Sequence, residues 1–236
     1  MHAKSYSQGS DDHVALQGVV IVRSRFAILI CMAYKHSILN SASEDRLEKL
    51  IKERLVPGAN KEMIDKRIWD LFGEEWCVMA TDLSGFSRHV AKFGIIHFLQ
   101  TIYESERLLI PVIDTHDGIL LKIEGDSFLV IFRNVEKAVS AALEMKDVLK
   151  KYNKDKADEE KVLLCVGLGY GKMLRIGDED VFGAEVNAAS KLGEDTARAG
   201  EILATESVVK KCTSSLYKFE EIQDIPPGAN KAYKLV

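Results

Sequence analysis

The stretch ILLKIEGDSFLVIF, residues 119–132, decides how the chain is read. Ile119–Ile123 and Ser127–Phe132 are rich in β-branched and aromatic residues, and Glu124-Gly125-Asp126 between them has turn composition. Together they predict two strands in a hairpin, entered through a turn at Asp117-Gly118. Upstream, Ile95, Phe98, Leu99, Ile102, Leu109 and Ile113 recur at helical spacing, and downstream a second helix is expected over about 135–152. Outside these helices lie two further strands, Trp76–Thr81 and the apolar run Val162–Tyr170. The order β-α-β-β-α-β predicts a ferredoxin-like α+β sandwich, an antiparallel sheet with helices on one face. Additional elements come after it: a helix from Val186 to Leu192, a short strand at Glu201–Ala204, a helix at Ser207–Cys212, and two edge strands near Tyr217–Glu220 and Lys231–Val236.

Before this domain the chain changes character. Residues 1–18 are polar and read as disordered. Val19–Tyr34 is apolar, but Arg23 and Arg25 interrupt it, and Phe26–Tyr34 is far short of the roughly 20 residues a membrane span needs. No small-residue cleavage site comes after it, so a buried strand or peripheral element is favoured over membrane contact. Ser41-Ala-Ser-Glu44 has the form of a capping box, and Leu47, Leu50, Ile51 and Leu55 then share a helical face. Pro57-Gly58 closes that helix; a second starts near Asn60, carries Ile64, Ile68 and Leu71 on one stripe, and ends at Gly73. The division expected is an N-terminal extension over 1–40, an amphipathic helical region over 41–74, and a main domain over 75–236. The helical pair either packs onto that domain or serves as a dimerisation or signal-relay element.

Composition limits the function classes. The chain has 236 residues, 47% of them hydrophobic, with a formal net charge of -4, so no general field attracts nucleic acid. Cys31, Cys77, Cys165 and Cys212 lack CxxC spacing and read as reduced thiols of a cytoplasmic protein. The six histidines do not pair with them at zinc-ligand spacings.

Two carboxylates remain to be explained. ATDLSGFS, residues 80–87, leaves the first strand with Asp82, then the small Ser84-Gly85 pair before Phe86. Read alone, Asp82 is compatible with a helix cap. The topology offers more, because it sets the end of the first strand beside the hairpin turn that carries Asp126. Two acids there repel unless a divalent cation joins them, and hard oxygen ligands favour Mg²⁺ or Mn²⁺. Backbone N–H groups around Leu83–Phe86, opening the next helix, suit phosphate oxygens.

ATDLSGFS, LLKIEGDSFLVIF and DVFGAEVNAASKL resemble, in order and spacing, the three core motifs of the class III nucleotidyl cyclases, over about residues 75–236. The resemblance implies conversion of ATP to cyclic AMP and pyrophosphate in intracellular signalling, with two Mg²⁺ or Mn²⁺ ions per site. Asp82 and Asp126 match the metal-binding aspartates, with the Leu83 carbonyl as a further ligand. Lys122 and Asp180 match the purine-reading pair in its adenine-selecting form; adenine N1 accepts from a Lys and N6 donates to an Asp. Asn187 matches the residue that orients the ribose. The family's sites are shared across a head-to-tail dimer, so the resemblance implies a homodimer.

Two departures stand against full activity. Where the family has an arginine for the transition-state phosphate, this chain has Lys191, which keeps the charge and loses the bidentate fork. Where the family often has a C-terminal triphosphate lysine, the chain reads Asp224-Ile-Pro-Pro-Gly, leaving Lys231 as a substitute. The alternative expectation is therefore a weak or inactive nucleotide-sensing dimer. His116 reads as part of a turn rather than as a base.

Overall fold

The hairpin of residues 119–132 sits at one edge of a sheet built around the strand that precedes it. The structure, a computed structural model, describes residues 41–225 and 230–236, without the side chains of 86–89. The expectations for residues 1–18 and 19–34 lie outside the described residues. Strand β1 (Gly73–Leu83) pairs antiparallel on one side with β3 (Ser127–Phe132) and on the other with β4 (Leu164–Ile176). β2 (Ile119–Glu124) pairs with β3 at the edge. The order β2-β3-β1-β4 is that of the expected split β-α-β-β-α-β core.

Beyond β4 the sheet departs from expectation. β6 (Ile202–Thr205) joins β4 in parallel, so the sheet is mixed rather than antiparallel. β8 (Ala232–Leu235) lies between β6 and β7 (Phe219–Ile222) instead of forming an edge. A short strand that the sequence did not announce, β5 (Asp180–Phe182), pairs with the far end of β4.

Helices cover both faces, which corrects the one-face expectation. Alternation along β1 separates the two sides. Cys77, Met79 and Leu83 pack on one face with α4 (Ile95–Thr115) and α5 (Val135–Tyr152), alongside Phe128, Val130 and Phe132 of β3. Trp76, Val78 and Ala80 point the other way, towards Ile131 and the helix α6 (Ala184–Lys191), whose Val186 and Ala189 complete that smaller cluster. A short helix, α3 (Phe86–Phe93), connects β1 to α4, and α7 (Glu206–Lys211) comes directly after β6.

The N-terminal pair forms as expected. α1 (Ala42–Leu55) begins with a complete capping box between Ser41 and Glu44, and α2 (Lys61–Phe72) is capped by Asn60. Leu50, Ile64, Ile68 and Phe72 bury against Ile176 at the end of β4, and Arg54–Asp65 and Arg67–Glu53 ion pairs join the helices at 2.5 and 2.6 Å. Ile51, Leu55 and Leu71, expected on the buried stripes, are exposed instead. Phe72 occupies the inward position that Leu71 was assigned.

The close seat of α6 depends on glycine. Gly167, Gly169 and Gly171 alternate on the α6 face of β4. A Cβ at Gly167 would lie 2.0 Å from the Ala189 carbonyl oxygen, and one at Gly169 would lie 2.3 Å from that of Glu185. Both contacts are with helix backbone, which cannot yield without lifting α6. At Gly171 the nearest atom is the Glu185 Cγ at 3.1 Å, part of a side chain that can shift. Gly167→Ala is therefore expected to destabilise the protein by about 3 kcal/mol, the upper range of overpacking. Gly171→Ala should cost no more than about 1 kcal/mol, because alanine recovers backbone entropy in the strand. Urea denaturation of the two variants checks the ranking; equal losses would refute the backbone-contact argument.

Candidate functional site

The register of β1 on β3 matches Ala80 with Leu129, which carries Asp82 to the position opposite Ser127 and next to the turn residue Asp126. The Ser127 hydroxyl lies 3.5 Å from Asp82 Oδ1, and Phe128 N–H donates to the Thr81 hydroxyl at 3.0 Å, fixing the end of the ladder. Residues 44 positions apart (126 − 82) in the sequence thus meet at one sheet end. Asp82 does not cap a helix: β1 continues through Leu83 before the chain turns.

Electrostatics mark the pair as incomplete. Burial pushes the Asp82 carboxyl up to about 6, with repulsion from Asp126 and then Glu194 adding to it. Burial also raises Asp126. The Leu83 N–H offsets part of the cost at both carboxylates. Asp126 Oδ2 is buried with no hydrogen-bond partner among the described residues. An acceptor-only oxygen withdrawn from water and left unpaired is costly. A divalent cation would relieve both the orphaned oxygen and the repulsion. Among the described residues no group of three or more His, Cys, Asp or Glu side chains is arranged to hold a metal. Two carboxylates fit a Mg²⁺-like ion that keeps waters and takes phosphate oxygens as its other ligands. Cys165, matched with Asp82 across β1 and β4, has its thiol pushed up to about 11 by burial and by that carboxylate, which keeps it inert.

The turn after β1 has the expected form. Ser84 N–H is tied to the Leu163 carbonyl at 2.7 Å, and Gly85, at φ +92°, is the N-cap of α3. Gly85 has no side chain to cap α3, and among the described residues no other side chain caps it. Phe86 opens that helix.

Lys122 and Asp180 meet directly. The ammonium lies 3.1 Å from Asp180 Oδ2 and 2.9 Å from Glu124 Oε1. Hydrogen bonding to Glu124 raises the Lys122 pKa against its partial burial, with Asp180 adding to it. A bulge makes this contact possible. Leu120 pairs with Val130 and Lys122 with Leu129, so Leu121 is the extra residue. Leu120 packs on the α4–α5 face. Strict alternation would send Lys122 there too; the bulge turns it to the Leu129 face, where Asp180 waits on β5. The pair lines a cleft of about 230 Å³ with Thr81, Ser127, Ser190 and Glu194.

α6 carries the remaining candidates. Val186 and Ser190 face the cleft, whereas Asn187 is exposed, one helical step round from them. Lys191 closes the helix and pairs with Asp195 at 2.7 Å. The helix then widens into a π-turn, Leu192–Thr196, that carries Glu194 to the cleft rim. Glu185 anchors the other end of α6, accepting from Tyr170 N–H at 3.1 Å, the Thr205 hydroxyl at 2.6 Å and the Ser207 hydroxyl at 2.8 Å. Sequence reasoning missed Glu124 and Glu194 as site residues, and the glycines at 167, 169 and 171 were the signal that a helix seats there. Lys231 pairs with Glu221 at 2.9 Å on the outer strands, and His116 bonds Glu144 at 2.8 Å beside its turn.

Residues 73–234 match the sequence model of the adenylate and guanylate cyclase catalytic domain. The serine/threonine-protein kinase pkn2 of Myxococcus xanthus is 30% identical over 131 residues, 56% of this chain and 16% of that protein. The putative adenylate cyclase 3 of Rhizobium meliloti is 26% identical over 131 residues, 56% of this chain and 22% of that protein. The match therefore spans less than a quarter of either relative. The guanylate cyclase domain of RhGC from Catenaria anguillulae, solved with GTP, superposes with a TM-score of 0.59 over 69% of this chain and 96% of that one. At 18% identity that likeness is one of fold.

The raised Asp82 carboxyl sets a pH dependence. Well below pH 3.8 the group is protonated in both folded and unfolded chains and costs nothing. Between pH 4 and about 6 the unfolded chain ionises first, so stability falls as pH rises, by up to about 3 kcal/mol for a shift from 3.8 to about 6. In chelator, Asp82→Asn is expected to raise the melting temperature at pH 7.5 and to change it far less at pH 4. Adding Mn²⁺ should stabilise the wild type and not the variant. A variant less stable than wild type at both pH values would contradict the argument that burial and repulsion destabilise the ionised carboxyl.

Proposed function

Because this chain belongs to the family of adenylate and guanylate cyclase catalytic domains, we propose that it converts ATP to cyclic AMP and pyrophosphate. The observation that carries the adenine reading is the Lys122–Asp180 pair at 3.1 Å in the cleft beside Asp82 and Asp126. A lysine donor suits adenine N1 and a carboxylate acceptor suits the N6 amine, whereas guanine presents the reverse pattern at those positions.

In this reading the ribose 3′-oxygen attacks the α-phosphorus, the 3′-hydroxyl proton passes to solvent, and the bond to the β-phosphate oxygen breaks. The carboxylates of Asp82 and Asp126 and the Leu83 carbonyl would hold Mg²⁺ or Mn²⁺, two ions per site, and when bound these would supply acidification of the 3′-hydroxyl and neutralisation of the leaving pyrophosphate. Ser84, Gly85 and Phe86 offer backbone N–H groups to phosphate oxygens. Asn187 orients the ribose, and Lys191 provides charge at the reacting phosphate. The outward position of Asn187, away from the cleft that Val186 and Ser190 line, supports a site completed by a second copy in head-to-tail arrangement. The protein acts in the cytoplasm, and among the described residues no helix is long and apolar enough to cross a membrane. The two helices expected over 41–74 end at Phe72, because Gly73 and Glu74 already belong to β1, and they pack against Ile176 of the catalytic domain.

The 2.7 Å pairing of Lys191 with Asp195 favours a second reading, a nucleotide-sensing dimer with little turnover. A lysine already engaged on its own helix surface must leave that partner before it meets phosphate. Cyclic nucleotide assays with ATP and GTP, each with Mg²⁺ and Mn²⁺, separate the two. The expected result is cyclic AMP formation, fastest with Mn²⁺, lost on the order of 10²-fold or more in Asp82→Ala and Asp126→Ala. Lys191→Arg should raise the rate. Metal-dependent ATP binding without product in either form would select the sensing reading, and preference for GTP would overturn the adenine assignment.

A further inference from the structure

A second cavity, of about 210 Å³, lies on the opposite sheet face from the nucleotide cleft. Cys165 is matched with Asp82 on the α6 face; Leu164 and Val166, which line this cavity, alternate to the α5 face. Its walls are Leu149 of α5, Val162 and Leu164 at the start of β4, and Ile202 of β6, each no more than 5% exposed. The walls are rigidly set. Asn153 bridges both the N–H and the carbonyl of Val162, at 2.9 and 2.8 Å, and Gly200 N–H donates to the Leu164 carbonyl at 2.7 Å. The cavity opens to solvent on one side and is apolar within, and an apolar cavity of about 150 Å³ already holds benzene in another protein.

The mouth has a defined charge. Lys146 and Lys150, one turn apart on α5, border the cavity and are exposed, and among the described residues neither has an ion-pair partner. The acid at the same rim, Glu201, is already neutralised by Lys234 at 2.8 Å and by the Arg198 N–H at 3.0 Å. An aliphatic pocket with two uncompensated ammonium groups at its lip complements one kind of molecule: an unbranched chain ending in an anion.

We propose that this cavity binds a medium-chain aliphatic carboxylate, its chain among Leu149, Val162, Leu164 and Ile202 and its carboxylate between Lys146 and Lys150. The volume admits roughly seven water-sized, hence methylene-sized, groups. Octanoate should fill it, and a long acyl chain of a membrane lipid should not enter.

Calorimetry on the full chain, without nucleotide or metal, tests this independently of any cyclase activity. Across butyrate, hexanoate and octanoate, affinity is expected to rise about fourfold per added methylene and then level off at decanoate. Octanol should bind about tenfold more weakly than octanoate, and the surface double variant Lys146→Gln/Lys150→Gln should remove that difference. Absence of octanoate binding, affinity that keeps rising through decanoate and dodecanoate, or octanoate affinity unchanged in the double variant would each overturn the assignment.

Discussion

The central place of β1, hydrogen-bonded along both edges, is the constraint on which the rest of the molecule depends. Its pairing with β3 brings the hairpin turn to the strand's end, and its pairing with β4 runs from Gly73↔Leu174 to Leu83↔Leu164. A strand so held cannot slip by one residue without moving its whole apolar set to the wrong face. The same rigidity forces Asp82 and Asp126 to share a poorly solvated corner. The fold thus gives up stability to the burial of both carboxylates and, at Asp82, to repulsion from Asp126, and the orphaned Asp126 oxygen marks where an external charge is needed. Strain of this kind belongs to a site, because packing alone gives no reason to keep it.

The second face of the sheet is shaped by the side chains it lacks. Three glycines on β4 remove the groups that would hold α6 away, and Glu185 fastens the helix by three hydrogen bonds to β4, β6 and α7. Val186 and Ser190 then reach the cleft, while the π-turn after Lys191 adds Glu194 to its rim. Bulges of this type recur at functional sites, since the extra residue re-aims the side chains after it. The result here is an acidic rim close to the carboxylate pair, which increases the demand for cations.

The two cavities lie on opposite faces of one sheet, with different physical characters. The cleft at Lys122 and Asp180 sets charged groups on apolar walls, with Lys122 paired to Asp180 and Glu124 and Glu194 at its rim. The cavity at α5 is apolar, with its cations unpaired. The lip residue Glu201 stands a few positions after the π-turn, and Cys165 donates to the Ala197 carbonyl at 3.3 Å between them, so the two regions share a short covalent path.

Much of this was legible in the sequence because period and turn chemistry are local. The 119–132 hairpin, the helix over 135–152, the capping box at Ser41–Glu44 and the position of Asp82 at a strand end all arise from residues close together in the chain. The parallel β4–β6 pairing, the interior place of β8 and the exposure of Leu71 did not, because each depends on which distant surface is available for burial. Lys122 shows the division most clearly. The sequence determined that a lysine stands four residues before Asp126 and that an aspartate stands at 180. Only the tertiary structure decided that they touch, because register across β2 and β3 breaks at Leu121 and turns that lysine from the α5 side of the sheet to the α6 side. No local pattern encodes a bulge of this kind; it is selected by the pairing energy of the whole ladder.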